Sequence, residues 1–169
     1  MNFEENDKNT QELMAIFSTE SEEILERIYE ELEEYSQKPN DKELINALYR
    51  SLHSIKGAVR MVGFNNIQEL FHKIEDIFDV LRNENIALNS EQVSIISKTI
   101  ELAQRYIQES VTNNREIIDE QFNPMLSSIE YICDVELASN AQLPNESIIA
   151  DIIDTPSATV DETITTNKE

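Results

Sequence analysis

Residues 45–62 read INALYRSLHSIKGAVRMV, from Ile45 to Val62. Their apolar positions, Ile45, Leu48, Leu52, Ile55, Val59 and Val62, are spaced 3-4-3-4-3, the interval at which side chains return to one face of an α-helix. The stretch therefore predicts a helix that begins after Asn40 or Asp41 as N-cap and ends at Gly63 in a C′ position. The same periodicity extends to both sides. Upstream, Leu13, Phe17, Ile24, Ile28, Leu32 and Tyr35 predict a helix from about Thr10 as N-cap to just before Pro39. Downstream, Ile67, Leu70, Ile74, Ile77 and Leu81, flanked by Phe71 and Phe78, predict a third helix almost directly after Gly63. A fourth starts after Asn89, with Val93, Ile96, Ile100, Ala103, Ile107 and Val111 inward. Four amphipathic helices of about 20 residues with short connections make an antiparallel up-down four-helix bundle.

Composition agrees with an all-α chain. Only two glycines occur in 169 residues, where average usage of about 7% gives roughly twelve. Strand-rich folds with many tight turns, and the glycine-rich phosphate cradles of nucleotide-binding folds, need more. Residues 115–122 are ambiguous. A fifth helix is expected from Asn123 as N-cap, with Pro124 at the first helical position, to about Leu137. Beyond it, periodicity fades and Thr, Ser, Asn and Asp rise. The expected division is a helical domain over 1–138 and a flexible acidic tail or linker over 139–169.

Thirteen Lys and Arg against 34 Asp and Glu give a formal charge of −21. That argues against nucleic acid, whose phosphates need a clustered basic surface, and against anionic membrane surfaces. The longest run without a charged side chain is nine residues, and a spanning helix needs about 20 apolar ones. The opening MNFEENDKNTQ has no apolar h-region, so it does not read as a secretory signal. A lone cysteine, Cys133, fits a reducing, cytoplasmic location.

Charge is unevenly spread. Residues 44–68 hold no Asp or Glu but do hold Arg50, Lys56 and Arg60. This local excess of cations suits a site that receives an anion. Within it stands His53, one of two histidines, the other being His72. His53 is one residue, or about 100°, off the apolar stripe, which puts its ring at the half-exposed edge. Surface histidines are usually idle, but Lys56 follows at i+3 and Gly57 at i+4, on the same face. The ammonium can reach a group carried by the imidazole, and the glycine removes a side chain that would hinder approach. A mid-helix glycine costs about 1 kcal/mol relative to alanine.

A tight turn at Gly63 makes the second and third helices antiparallel. At 1.5 Å per residue, His53 lies roughly 14 Å from that turn, His72 roughly 12 Å and Glu75 roughly 16 Å. His53 thus faces the level between His72 and Glu75. A carboxylate there can hold one ring nitrogen and leave the other as nucleophile. Distances along the axes leave the helix rotations open.

The run Leu52-His53-Ser54-Ile55-Lys56-Gly57, followed by Val62-Gly63-Phe64, resembles the histidine-containing phosphotransfer (HPt) domain. The likeness is greatest to the N-terminal phosphotransfer domain of CheA-type chemotaxis histidine kinases, and it covers roughly residues 10–138. It implies that His53 is the phospho-acceptor and Lys56 the cation beside the phosphate. It further implies that Glu75 orients His53, that His72 supports the site, and that Gly57 gives access. His72 and Glu75 stand 19 and 22 residues after His53, as in the kinase branch. Where many relatives carry further small residues after the motif glycine, this chain has Ala58, Val59, Arg60 and Met61.

The resemblance implies a phosphoprotein of a two-component signal transduction system. It would accept phosphoryl from a histidine kinase catalytic domain that uses ATP, and pass it to the aspartate of a response-regulator receiver domain. No ATP site or other cofactor is expected in this chain, the ATP being used by the partner kinase domain. With its starting Met1 and trailing linker it reads as the N-terminal piece of a larger histidine kinase. The alternatives are a free-standing HPt relay protein, or a non-catalytic helical docking or oligomerisation module. Metal binding is disfavoured: a single His72-x-x-Glu75 pair stands beside Lys56, and di-iron bundles use many more carboxylates.

Overall fold

A computed structural model describes residues 3–84 and 86–137. It contains five α-helices in chain order: α1 (Phe3–Gln37), α2 (Lys42–Met61), α3 (Asn65–Asn83), α4 (Ser90–Asn113) and α5 (Phe122–Tyr131). The last runs on into a π-helical segment, Ile132–Leu137. No strand occurs among the described residues. Each of α2 to α4 packs against its predecessor, and α4 closes back on α1. This is the expected four-helix bundle, with α5 laid across α3 and α4. The expected tail, 139–169, lies outside the described residues.

The core follows the stripes read from the sequence, except that on α1 Met14 and Leu25 are buried where the spacing predicts Leu13 and Ile24, which are only partly buried. Phe17, Ile28 and Tyr35 of α1, Leu48, Leu52, Ile55 and Val59 of α2, Ile67, Leu70, Ile74 and Ile77 of α3, and Ile96 and Ala103 of α4 are each wholly buried. Each large one contributes about 1.5–3 kcal/mol of transfer free energy.

The α2–α3 turn sets the register of the site. Gly63 has φ +81°, in the left-handed region that side chains avoid. Its N–H donates to Arg60 O at 3.1 Å, and Phe64 N–H donates to Val59 O at 3.1 Å, the paired bonds of a Schellman motif. Phe64 is then buried, edge-on to Phe17 with ring centroids 5.6 Å apart. Asp41 caps the other end of α2, accepting from Glu43 N at 3.0 Å and Leu44 N at 3.2 Å. Asn89 and Gln92 form a capping box at the start of α4. The N-terminus of α3 has no side-chain cap of its own. Glu116, from the α4–α5 connection, does the work instead: it accepts from Ile67 N at 2.9 Å and from Asn66 Nδ2 at 2.8 Å.

Two boundaries differ from expectation. α1 runs through Thr10 and starts at Phe3. Nothing in FEENDKNT breaks a helix. α5 starts at Phe122, with Gln121 as N-cap, so Asn123 and Pro124 fall inside the first turn. Burial of Phe122, tilted against Tyr106 at 6.1 Å, fixes this start. Asp119 holds the approach by accepting from the Tyr106 hydroxyl, from Arg105 Nη2 at 2.8 Å and from Gln121 N at 2.9 Å. Pro124 is tolerated there because first-turn N–H groups have no helical partner.

Candidate functional site

On α2, Leu52 and Ile55 are wholly buried and His53, about 100° round from Leu52 on the side away from Ile55, has a side chain 63% exposed. Across the groove, α3 presents Glu75 next to the buried Ile74, with Phe71 and Phe78 one turn to either side, both buried. This carboxylate is itself only 6% exposed. Its Oε1 lies 2.9 Å from His53 Nδ1 and its Oε2 lies 2.6 Å from Lys56 Nζ. Burial pushes the Glu75 carboxyl up, but the pairing with Lys56 and His53 outweighs it and holds the group below the ordinary carboxylate value. Glu75 is therefore ionised near neutral pH and can only accept hydrogen bonds. His53 Nδ1 must then carry the proton, and in the neutral ring the lone pair falls to Nε2. No hydrogen bond or ion pair engages Nε2 among the described residues.

Lys56 stands one turn after His53 on the same face, its side chain 20% exposed. An ammonium has three donors, so while it pairs with Glu75 it keeps capacity for another anion. Gly57 is exposed, and a Cβ built on it meets nothing within 4 Å. No packing inside the bundle requires glycine there.

The structure thus brings together His53, Lys56, Glu75 and Gly57. It does not join His72 to them. His72 is half-exposed, and its Nε2 lies 3.6 Å from Asp76 Oδ1 on its own helix. No bond links it to His53, Lys56 or Glu75 among the described residues. Three residues on a helix leave two side chains about 60° apart in rotation; here Glu75 is buried in the α2–α3 groove and His72, on the solvent side of it, is half-exposed.

Two neighbours were not found from the sequence. The Tyr49 ring stacks on that of His53, with centroids 6.3 Å apart and planes inclined by 24°. The Arg82 guanidinium lies over Tyr49, 4.0 Å from the ring centroid. The spacing held a signal for both: Tyr49 is four residues before His53, and Arg82 seven after Glu75, each on the face of its reactive neighbour.

Comparison with known proteins identifies the family. The Hpt domain family matches residues 12–113. The chemotaxis protein CheA of Klebsiella aerogenes is 28% identical over 145 residues, which are 85% of this chain and 21% of that protein. The chain therefore spans about a fifth of that relative's length. The solution structure of the histidine phosphotransfer domain of CheA superposes with a TM-score of 0.66 at 29% identity, covering 72% of this chain and 92% of that one. A likeness of fold also extends to the phosphorylated P1 domain of CheA3 from R. sphaeroides, solved in complex with CheY6. There the TM-score is 0.68 at 16% identity, with 76% of this chain and 98% of that one covered. With more than half of its residues matched, and with the helical bundle and exposed histidine in place, the chain belongs to the Hpt domain family.

Proposed function

We propose that the chain is the phosphoryl-carrying domain of a CheA-type chemotaxis kinase, with His53 as its acceptor. The observation that carries this is the pairing of His53 Nδ1 with an ionised, buried Glu75, which leaves Nε2 as a lone-pair nucleophile on a largely exposed ring. In the first step Nε2 attacks the γ-phosphorus of ATP held by a separate kinase domain. A P–N bond forms, the P–O bond to ADP breaks, and the electron pair leaves with ADP. In the second step a carboxylate oxygen of a receiver aspartate attacks the same phosphorus, and the electrons of the P–N bond return to Nε2. Both steps load charge onto the transferring oxygens, and Lys56 stands where its ammonium can offset it. Glu75 contributes orientation and tautomer, and Gly57 contributes room for two large partners in turn.

Exposure of the ring supports a role as carrier: a group that must visit two active sites cannot be enclosed in its own. The test is incubation with a chemotaxis kinase catalytic domain and radiolabelled ATP. Acid-labile label is expected on the wild type, absent from His53→Gln, and lost when a receiver domain is added. Label retained by a folded His53→Gln would remove His53 from the reaction.

A further inference from the structure

The His53 imidazole is held along one edge by a single hydrogen bond, and its side chain is 63% exposed. That bond fixes which nitrogen is free, but it leaves the ring able to tilt about the Nδ1···Oε1 line. A second contact is aromatic. Tyr49, one turn earlier on α2, stacks on the ring at 6.3 Å and 24°. Tyr49 is half-buried, and it is held in turn. The Arg82 guanidinium lies over it at 4.0 Å, and Asp79 Oδ1 holds Arg82 Nη2 at 2.6 Å. Asp79 and Arg82 stand four and seven residues after Glu75. One face of α3 therefore carries the carboxylate that fixes Nδ1 and, two turns on, the guanidinium that fixes Tyr49.

We propose that Tyr49 and Arg82 are positioning residues for His53: Tyr49 sets the tilt of the imidazole, and Arg82 sets Tyr49. The proposal rests on the reading of His53 as phosphoryl acceptor. Attack on phosphorus requires the Nε2 lone pair in line with the bond that breaks, so a ring that samples many tilts spends less time in a productive pose. A flat aromatic face restricts tilt where an aliphatic side chain would not. The planar guanidinium can stack on a phenol ring in a way that an ammonium does not reproduce.

Phosphoramidate tests this without a protein partner: Nε2 attacks its phosphorus, the P–N bond breaks, and the nitrogen leaves as ammonia after taking a proton. The full chain is compared as wild type, Tyr49→Phe, Tyr49→Leu, Arg82→Lys and Arg82→Gln. Phosphorylation of His53 is followed by phosphorus NMR, and the ring-current shift of the His53 carbon-bound protons is measured in parallel. Tyr49→Phe is expected to match the wild type in rate and shift. Tyr49→Leu should lose the shift and slow the reaction about two- to tenfold, the worth of one aromatic contact. Arg82→Gln and Arg82→Lys should fall between, with rate and shift declining together. A folded Tyr49→Leu that reacts at the wild-type rate, or leaves the His53 shift unmoved, overturns the proposal. If Tyr49→Leu does not fold, Arg82→Gln decides by the same two criteria. A wild type that takes no phosphate on His53 sinks the acceptor reading and this proposal with it; a reactive wild type with indifferent variants sinks this proposal alone.

Discussion

Replacing Glu75 by Gln keeps the shape of the side chain and removes its charge. The amide has two orientations, and both harm the site. With its oxygen on His53 Nδ1, its NH2 faces the Lys56 ammonium across a 2.6 Å gap, donor against donor. With its NH2 on Nδ1, it favours the tautomer that protonates Nε2, which then has no lone pair to attack with. A hydrogen bond to a charged group is worth about 1.5–3 kcal/mol, so phosphorylation should slow about 10- to 100-fold. Glu75→Ala removes the contact altogether and should reach about 10²- to 10⁴-fold. Breaking a buried ion pair from one side costs about 3–5 kcal/mol when the orphaned charge stays buried. Lys56 has a flexible stem and a fifth of its side chain exposed, so it can swing into water, and a stability loss of about 1–2 kcal/mol is expected. Acid should discriminate as well. The folded pKa of Glu75 is held below its ordinary value of 4.5. The unfolded chain therefore binds that proton first, and the pairing stabilises the fold above about pH 4.5 and is lost as pH falls through the lower folded value. Wild-type stability should show this decline, and Glu75→Gln should lack it. The assays are single-turnover phosphorylation by a kinase domain with ATP, and urea unfolding from pH 3 to 7. Wild-type rates in both folded variants would refute the orienting role, whatever the stability measurements gave.

Three further outcomes test the scaffold and its access. Gly57→Ala should stabilise the chain by about 0.5–1 kcal/mol, since the new methyl meets nothing and a mid-helix glycine is removed; it should slow transfer from a kinase domain while leaving the phosphoramidate reaction unchanged, and equal slowing of both would reject the access role. Gly63→Ala forces a side chain into φ +81° and should cost about 1–2 kcal/mol, read from the urea midpoint, with little change in His53 reactivity at temperatures where the variant is folded. Glu116→Ala strips α3 of the carboxylate that accepts from Ile67 N and should cost about 1–2 kcal/mol, the worth of an N-cap; amide exchange at Asn66 and Ile67 should rise first.

The bundle was legible because its helices carry long stripes at one period, broken by residues with single meanings. Asp41 and Asn89 cap where their side chains predict, and Gly63 supplies the left-handed residue between α2 and α3. The boundaries that moved lack such a residue. Thr10 has a capping side chain, yet nothing before it ends a helix. Asn123-Pro124 is a good local start, overridden by Phe122, whose burial against Tyr106 is a tertiary fact. Within the site, axial arithmetic brought His53 level with the interval from His72 to Glu75 but carried no rotation. The rotation chose Glu75, because only that residue faces the groove beside Ile74, and left His72 beside Asp76. The Glu116 cap on α3 had no local signal at all, since it acts across 49 residues.

The site divides exposure between two side chains in the way that the proposed phosphoryl transfer requires. A phosphoryl carrier must offer its nucleophile to a donor and then to an acceptor, so the reactive nitrogen cannot be buried. An exposed imidazole, however, is free to change tautomer and rotamer. Burying its partner resolves the conflict. At 6% exposure Glu75 is shielded from water that would compete for its oxygens. Lys56 keeps it ionised there, against the desolvation that would otherwise protonate it. The carboxylate can thus act as a fixed acceptor whose position α3 sets, while His53 stays outside. The same logic accounts for the acid-free stretch 44–68 in a chain of charge −21. A carboxylate on α2 near Lys56 would compete with Glu75 for the ammonium and repel an incoming phosphoryl group. Introducing one tests this: Arg60→Glu, at the exposed position four residues after Lys56 and seven after His53, on their helical face, should lower the phosphorylation rate at low salt and recover part of it at high salt, where exposed charges are screened. A salt-independent rate would show that the sparing of acids on α2 serves packing and not the transfer.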